Sequence, residues 1–324
     1  MRILVTQQTA INNISLQKKY LKQLKKIVPD IEVNFVLPKS ADFYTQAKNA
    51  DIVIAMADDI KRLFDFPQLK WVHLTSAGAN ALSKELIESK IVVSNSSGVH
   101  PIPISEHVFG LMLMLARGLH KAVKVQIMQK KWVRDINFYQ PTELAGKKLL
   151  VVGMGRIGER VAALGQAFEM QIVGIVRDAS KHTSQFELKS AKDLINEIKS
   201  ADFIVNCLPS TSETIRLFDN KLFKIFKKGS FFINIGRGDT VDEAALIRVL
   251  KSGPLAGAGL DVFETEPLSS ESPLWKMENV IITPHYSGAN PHYFERMMEI
   301  FIINFKSFIQ NQPLPNYVDK KLGY

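Results

Sequence analysis

Residues Lys148–Gly158 read KLLVVGMGRIG, and the chain continues through Glu159–Phe168 as ERVAALGQAF. An apolar run ending on a glycine, two further glycines at G-x-G-x-x-G spacing and a helical pattern beyond describe a strand, a tight turn and a helix start. In that context each glycine has its own task. Gly153 makes the turn, Gly155 lets backbone amides approach a pyrophosphate, and Gly158 lets the helix pack closely on the strand. Arg156 and Ile157 stand at the head of the helix, whose N-terminal partial positive charge favours phosphates. The stretch predicts a dinucleotide-binding unit.

Outward from that turn, short apolar segments alternate with helical patterns in both directions. Downstream, Lys148–Val152, Ile172–Val176, Phe203–Asn206, Phe231–Ile235, Ala256–Asp261 and Val280–Thr283 read as six strands of a doubly wound α/β sheet. Upstream, Arg2–Thr6, Ile31–Leu37, Ile52–Ala55, Trp71–Leu74 and Ile91–Ser94 read as a smaller parallel α/β unit, with a helix over Ser15–Val28 capped by Ser15. Pro101-Ile102-Pro103 opens a long apolar helix, Ile104–Arg117, expected to cross between domains. The helical stretch Pro291–Phe308 has no later strand to cover and is expected to return to the first unit. Residues 1–100 with 291–324 therefore form one expected domain, and 101–290 the other.

A chain of 324 residues with 46% apolar content is long enough for two cores. The opening MRILVTQQTA lacks a signal-peptide apolar run, and no segment reads as a membrane span. Cys207, the single cysteine, excludes an intramolecular disulfide and gives no metal cluster, so a cytoplasmic protein without metal or membrane is expected. The net charge of +9 comes from lysines dispersed over many segments rather than from a nucleic-acid module. Its field favours anionic substrates and phosphorylated cofactors.

At the end of the second strand, where an NAD site places an acid for the adenosine ribose, the chain has Val176-Arg177-Asp178. A guanidinium there suits a 2′-phosphate, which favours NADP over NAD. In the other reading Arg177 stacks on adenine and Asp178 reaches the ribose.

Three further segments follow strands: Ile235-Gly236-Arg237-Gly238, Asp261–Pro267 and Thr283-Pro284-His285. Groups at the carboxyl ends of such strands face the ligand crevice. Reduction of a 2-oxo acid needs a cation for the carboxylate and a proton donor for the carbonyl oxygen. Arg237 supplies the first, with flanking glycines expected to clear space for substrate, and His285 the second. Glu266 can accept from the other imidazole nitrogen and fix the tautomer. Of the remaining histidines, His100 stands near the hinge, while His73, His107, His120, His182 and His292 read as core or surface.

On Gly153–Gly158, INIGRGD at Ile233–Asp239, GAGLDVFETEP at Gly257–Pro267 and TPHYSG at Thr283–Gly288, the chain resembles the D-isomer-specific 2-hydroxyacid dehydrogenase family. The resemblance covers nearly the whole length. It implies a discontinuous flavodoxin-like substrate domain and a Rossmann nucleotide domain with a cleft between them, a homodimer built on the nucleotide domains, D-specificity, and Arg237, Glu266 and His285 as the catalytic set. It also implies that backbone amides of Ala77 and Gly78, in the loop Ser76–Ala79, hold the substrate carboxylate, with Met56-Ala57 approaching. Leu208 and Pro209 would lie beneath the adenosine, Ile235 against the cofactor and Asp261 on the nicotinamide amide; Asn80 and Trp275 read as structural. Glyoxylate or hydroxypyruvate fits best as substrate, phosphoglycerate less well. Formate oxidation is disfavoured because the histidine's partner there is an amide. A dinucleotide-sensing binding protein of the same fold is the alternative function, and nucleic-acid binding a third.

Overall fold

The computed structural model describes residues 1–6, 12–38, 40–60, 66–78 and 82–320. They divide into two compact α/β units, Met1–His100 with Asn290–Tyr324, and Pro101–Ala289. Asn80, with Ala79, lies outside the described residues.

In the first unit, strands β1 (Arg2–Val5), β2 (Glu32–Phe35), β3 (Ile52–Ala55), β4 (Trp71–Leu74) and β5 (Val92–Asn95) form one parallel sheet ordered β2-β1-β3-β4-β5. That is the flavodoxin-like order. β3 and β4 are buried along their whole length, as expected of inner parallel strands covered on both faces. Helix α1 spans Ile14–Lys25 and buries Tyr20 and Leu24. Its cap is Asn13, whose side chain accepts from the Leu16 amide, and not Ser15. Among the described residues between α1 and β5 are the short α-helices α2 (Ala41–Ala47) and α3 (Lys84–Glu88).

The helix Tyr293–Ile309 packs onto this sheet through Phe294, Met297, Met298, Phe301 and Phe305, one face of a helical repeat. Phe301 stacks on Trp71 with ring centroids 5.0 Å apart. Beneath that stack His73 is fully buried between two hydroxyls, Nδ1 2.7 Å from Ser94 Oγ and Nε2 3.2 Å from Ser96 Oγ. Burial pushes its imidazole down to about 3. The tail beyond this helix returns to β5: Val318 is buried, and Lys320 Nζ donates to the carbonyls of Leu86, in α3, and of Ser89 and Ile91, between α3 and β5.

The second unit holds seven parallel strands, not six. These are β6 (Lys148–Val152), β7 (Gln171–Val176), β8 (Glu187–Ser190), β9 (Phe203–Asn206), β10 (Ser230–Asn234), β11 (Leu255–Leu260) and β12 (Val280–Ile282), ordered β12-β11-β10-β9-β6-β7-β8. The additional strand β8 extends the edge beyond β7, where a partly exposed ELKS needs no apolar run. Chain order reverses between β6 and β9, and ligands of such sheets bind at that switch point, outside the strands' carboxyl ends.

Helix α4, Pro101–Ala116, belongs wholly to this unit and does not cross between the two. It buries Val108, Leu111, Met112 and Leu115 against the sheet. Gly118, in the left-handed region at φ 65°, ends it and starts α5, Leu119–Met128. A short turn of helix, α6 (Ile136–Tyr139), precedes β6. Among the described residues no single helix is long and apolar enough to cross a membrane. α4 and α5 pass together only in length and composition, and they are bent by 72°.

Candidate active site

At the switch point, β6 ends on Gly153, whose φ of 101° suits glycine, and helix α7 runs over Arg156–Ala167 with Gly155 as its cap. The glycines differ in a way that separates packing from binding. An added Cβ on Gly158 would lie 2.3 Å from the Gly153 carbonyl oxygen, so that position is closed by the strand itself. On Gly155 it would meet nothing within 4 Å. The open side of the turn, with the head of a three-turn helix behind it, is the cradle a pyrophosphate needs, and these residues fit a dinucleotide.

Leu208 and Pro209 follow β9 beside this turn, and a Cβ on Gly153 would come within 3.3 Å of Leu208 Cδ2. Val176 is buried at the end of β7 and offers no polar group. Asp178 caps its own turn, its Oδ1 accepting from the Ser180 amide and hydroxyl. Its second oxygen, Oδ2, lies 3.4 Å from Lys181 Nζ. Arg177 is exposed and pairs with Glu213, Nη2 to Oε2, at 3.0 Å.

Arg237 follows β10 directly after the buried Ile235 and Gly236. The flanking glycines do not clear space for substrate. A Cβ on Gly236 would stand 2.6 Å from the Leu208 carbonyl oxygen, and one on Gly238 would stand 1.8 Å from that of Phe263. Both are glycine because neighbouring backbones press on them. Behind Arg237 lies a buried network missed from sequence. Asn206 Nδ2 donates to Asn234 Oδ1 and Thr240 Oγ1, and the Thr240 hydroxyl donates to the Arg237 carbonyl at 2.6 Å. Two asparagines ending adjacent strands were the available signal. Arg237 Nη1 donates to the Gly236 carbonyl at 2.8 Å, which aims the guanidinium.

The Phe263 that touches Gly238 donates its amide to Glu266 Oε1 at 3.0 Å, and the other carboxylate oxygen lies 2.7 Å from His285 Nδ1. His285 stands at φ 51°, with its amide donating to the carbonyls of Asp261 and Thr283. Asp261 holds this turn from below. Fully buried, it accepts from the Thr283 hydroxyl at 2.6 Å and from the amides of Tyr286 and Ser287. Its carboxylate thus serves the His285 loop. His107 of α4 completes the support, Nε2 3.0 Å from Thr283 Oγ1, and burial pushes its imidazole below the ordinary value against the opposing pull of Asp261. It is neither simple core nor surface.

The five loops therefore touch in sequence, from Gly153 through Leu208, Gly236 and Phe263 to His285, along the carboxyl edge of one sheet. Ala77 and Gly78 belong to the first unit. Their carbonyls are tied down by Asn95 Nδ2 at 2.8 Å and Ser76 Oγ at 2.7 Å, which fixes both peptide planes. His100 also lies there, its ring 5.4 Å from that of Tyr293. Among the described residues no group of three or more His, Cys, Asp or Glu is placed to hold a metal ion.

The family model for "D-isomer specific 2-hydroxyacid dehydrogenase, NAD binding domain" matches residues 109–287. The chain belongs to this family. A glyoxylate reductase of Aeropyrum pernix is 31% identical, the match covering 99% of this chain and 96% of the relative. The crystal structure of a D-isomer-specific 2-hydroxyacid dehydrogenase family protein from Aeromonas salmonicida is similar with a TM-score of 0.82 at 31% identity, covering 98% of this chain and 99% of that one. An NADPH-dependent glyoxylate/hydroxypyruvate reductase of Sinorhizobium meliloti, solved with NADP and sulfate, gives 0.77 at 26% identity, covering 100% and 99%. The chain is accordingly an NAD(P)-dependent oxidoreductase acting on CH–OH groups.

Proposed function

We propose that the enzyme reduces a small 2-oxo acid of the glyoxylate or hydroxypyruvate class to the D-2-hydroxy acid, with NADPH preferred over NADH. The observation that carries the chemistry is the 2.7 Å contact of His285 Nδ1 with Glu266. A carboxylate only accepts, so Nδ1 keeps its proton and Nε2 is the nitrogen that gains or releases one. His285 Nε2 then delivers a proton to the carbonyl oxygen, and takes it back in the oxidative direction. Arg237 binds the substrate carboxylate through its fork of donors and polarises the carbonyl. Bound nicotinamide dinucleotide supplies the hydride. The backbone amides of Ala77 and Gly78 are assigned to the substrate carboxylate.

The Gly153–Gly158 turn, with Arg156 and Ile157, holds the pyrophosphate; Leu208, Pro209 and Ile235 line the cofactor; Asp261 acts on the nicotinamide side by holding the His285 loop. NADP preference rests on Arg177 at the end of β7 and on the apolar Val176 before it. The relatives' names support the substrate class. A homodimer accounts for the apolar surface of α5 and the segment after it, where Met128 is 74% and Trp132 94% exposed. The lone Cys207, with no second cysteine to pair with, suits a reducing cytoplasm.

Loss of reduced-nicotinamide absorbance, with NADPH and NADH each tested against glyoxylate, hydroxypyruvate, pyruvate and branched 2-oxo acids, tests the reading. Dinucleotide binding without consumption of any of these would replace it with a sensor.

A further inference from the structure

We infer that Glu213 sets the balance between the two dinucleotides, by holding Arg177 and placing a negative charge where a 2′-phosphate must come. The inference rests on the NADP reading of Arg177. Its basis is where the two residues come from. Arg177 follows β7 and Glu213 lies beyond β9, the strands on either side of β6. The strands they follow lie two interstrand spacings apart, roughly 10 Å, on either side of the strand that ends in the glycine turn. The 3.0 Å ion pair joins the loops beyond the carboxyl ends of these two strands, the side on which the proposed site takes the adenosine.

Glu213 does not reach there by chance of a floppy loop. Its turn is built from Thr211 and Thr214. The Thr211 amide donates to Thr214 Oγ1 at 2.8 Å, and that hydroxyl donates to the Pro209 carbonyl at 2.6 Å. Glu213 is therefore tied to the same Leu208-Pro209 segment that borders the glycine turn. Both partners are 65% exposed, so the pair is weak enough to open. A 2′-phosphate that takes Arg177 leaves the Glu213 carboxylate beside it, and like charges at that range oppose binding. A ribose hydroxyl carries no such charge. Glu213 therefore penalises the phosphorylated cofactor alone, and offsets part of what Arg177 contributes.

The test is the dissociation constants of NADPH and NADH, read by nicotinamide fluorescence, for the native enzyme, Glu213→Gln and Arg177→Ala. Glu213→Gln is expected to tighten NADPH about two- to fivefold, the range an exposed pair allows, and to leave NADH unchanged. Unchanged or weaker NADPH binding in Glu213→Gln, alongside a selective loss of NADPH in Arg177→Ala, would overturn the inference while the NADP reading stands. If Arg177→Ala leaves the ratio of the two constants where it was, the NADP reading falls and this inference with it. Both side chains are exposed, so neither substitution threatens the fold.

Discussion

His285 Nδ1 lies 2.7 Å from Glu266 Oε2, and the second oxygen of that carboxylate is occupied by the Phe263 amide. Glu266 thus faces two donors at once, and an amide in its place could accept from only one oxygen. Glu266→Gln is expected to lower kcat while leaving the dinucleotide dissociation constant unchanged. His285→Ala is expected to lower kcat by about 10²- to 10⁴-fold, the usual contribution of a general acid, again without weakening dinucleotide binding. Near-native turnover in His285→Ala would remove it from the chemistry.

Arg237 is aimed by its bond to the Gly236 carbonyl and anchored by the Thr240 hydroxyl. Lysine keeps the charge but not the planar fork. Losing a charged hydrogen bond costs about 1.5–3 kcal/mol, so Arg237→Lys should lose roughly 10- to 150-fold in kcat/KM for the 2-oxo acid. Steady-state kinetics against glyoxylate decide this, and an unaltered kcat/KM would place the carboxylate elsewhere.

The two glycines at the head of α7 should separate stability from binding. Gly158→Ala puts a methyl group 2.3 Å from a carbonyl oxygen and should destabilise the fold by about 1–3 kcal/mol, the usual cost of overpacking. Gly155→Ala meets open space, so it should keep the native melting temperature yet weaken NADPH binding. Equal effects of both on melting would contradict the assignment of the open side to the pyrophosphate.

His73 makes the first unit sensitive to acid. Its imidazole is held near 3 when folded, against an ordinary value of 6.5, so below pH 6.5 the unfolded chain binds the extra proton. Stability from this group is complete above 6.5 and lost as pH falls toward 3, at up to about 1.4 kcal/mol per pH unit. Thermal melts between pH 7 and 4.5 should show the loss, and His73→Asn should flatten it. An unchanged slope in that variant would assign the acid sensitivity to other groups.

Strong local patterns made most of the strands legible, because inner parallel strands must be apolar on both faces: IVIA at β3 and KLLVV at β6 leave little choice. β8 escaped because ELKS at a sheet edge carries no such demand. The grouping of Arg237, Glu266 and His285 was legible because each follows a strand of one sheet, whereas the residues that support them were not. Asn206 and Thr240 meet 34 residues apart, and Asp261 reads as a ligand contact until the amides of the His285 loop are seen to converge on it. Gly236 and Gly238 show the same limit. A glycine needed for an approaching backbone looks, in sequence, like one needed for an approaching substrate.

The first sheet is closed by the far end of the chain. Phe301 and Phe305 cover Trp71, and Val318 fills the edge beside β5. On a ribosome adding about 5–20 residues per second, the roughly 190 residues from Pro101 to Ala289 take about 10–40 s to emerge. For that time β1, β3 and β4 have been synthesised without the helix that shields them. The second unit is contiguous and can finish first. Newborn chains therefore carry an uncovered aromatic face, and any chaperone demand of this enzyme should come from residues 1–100, made before their covering helix.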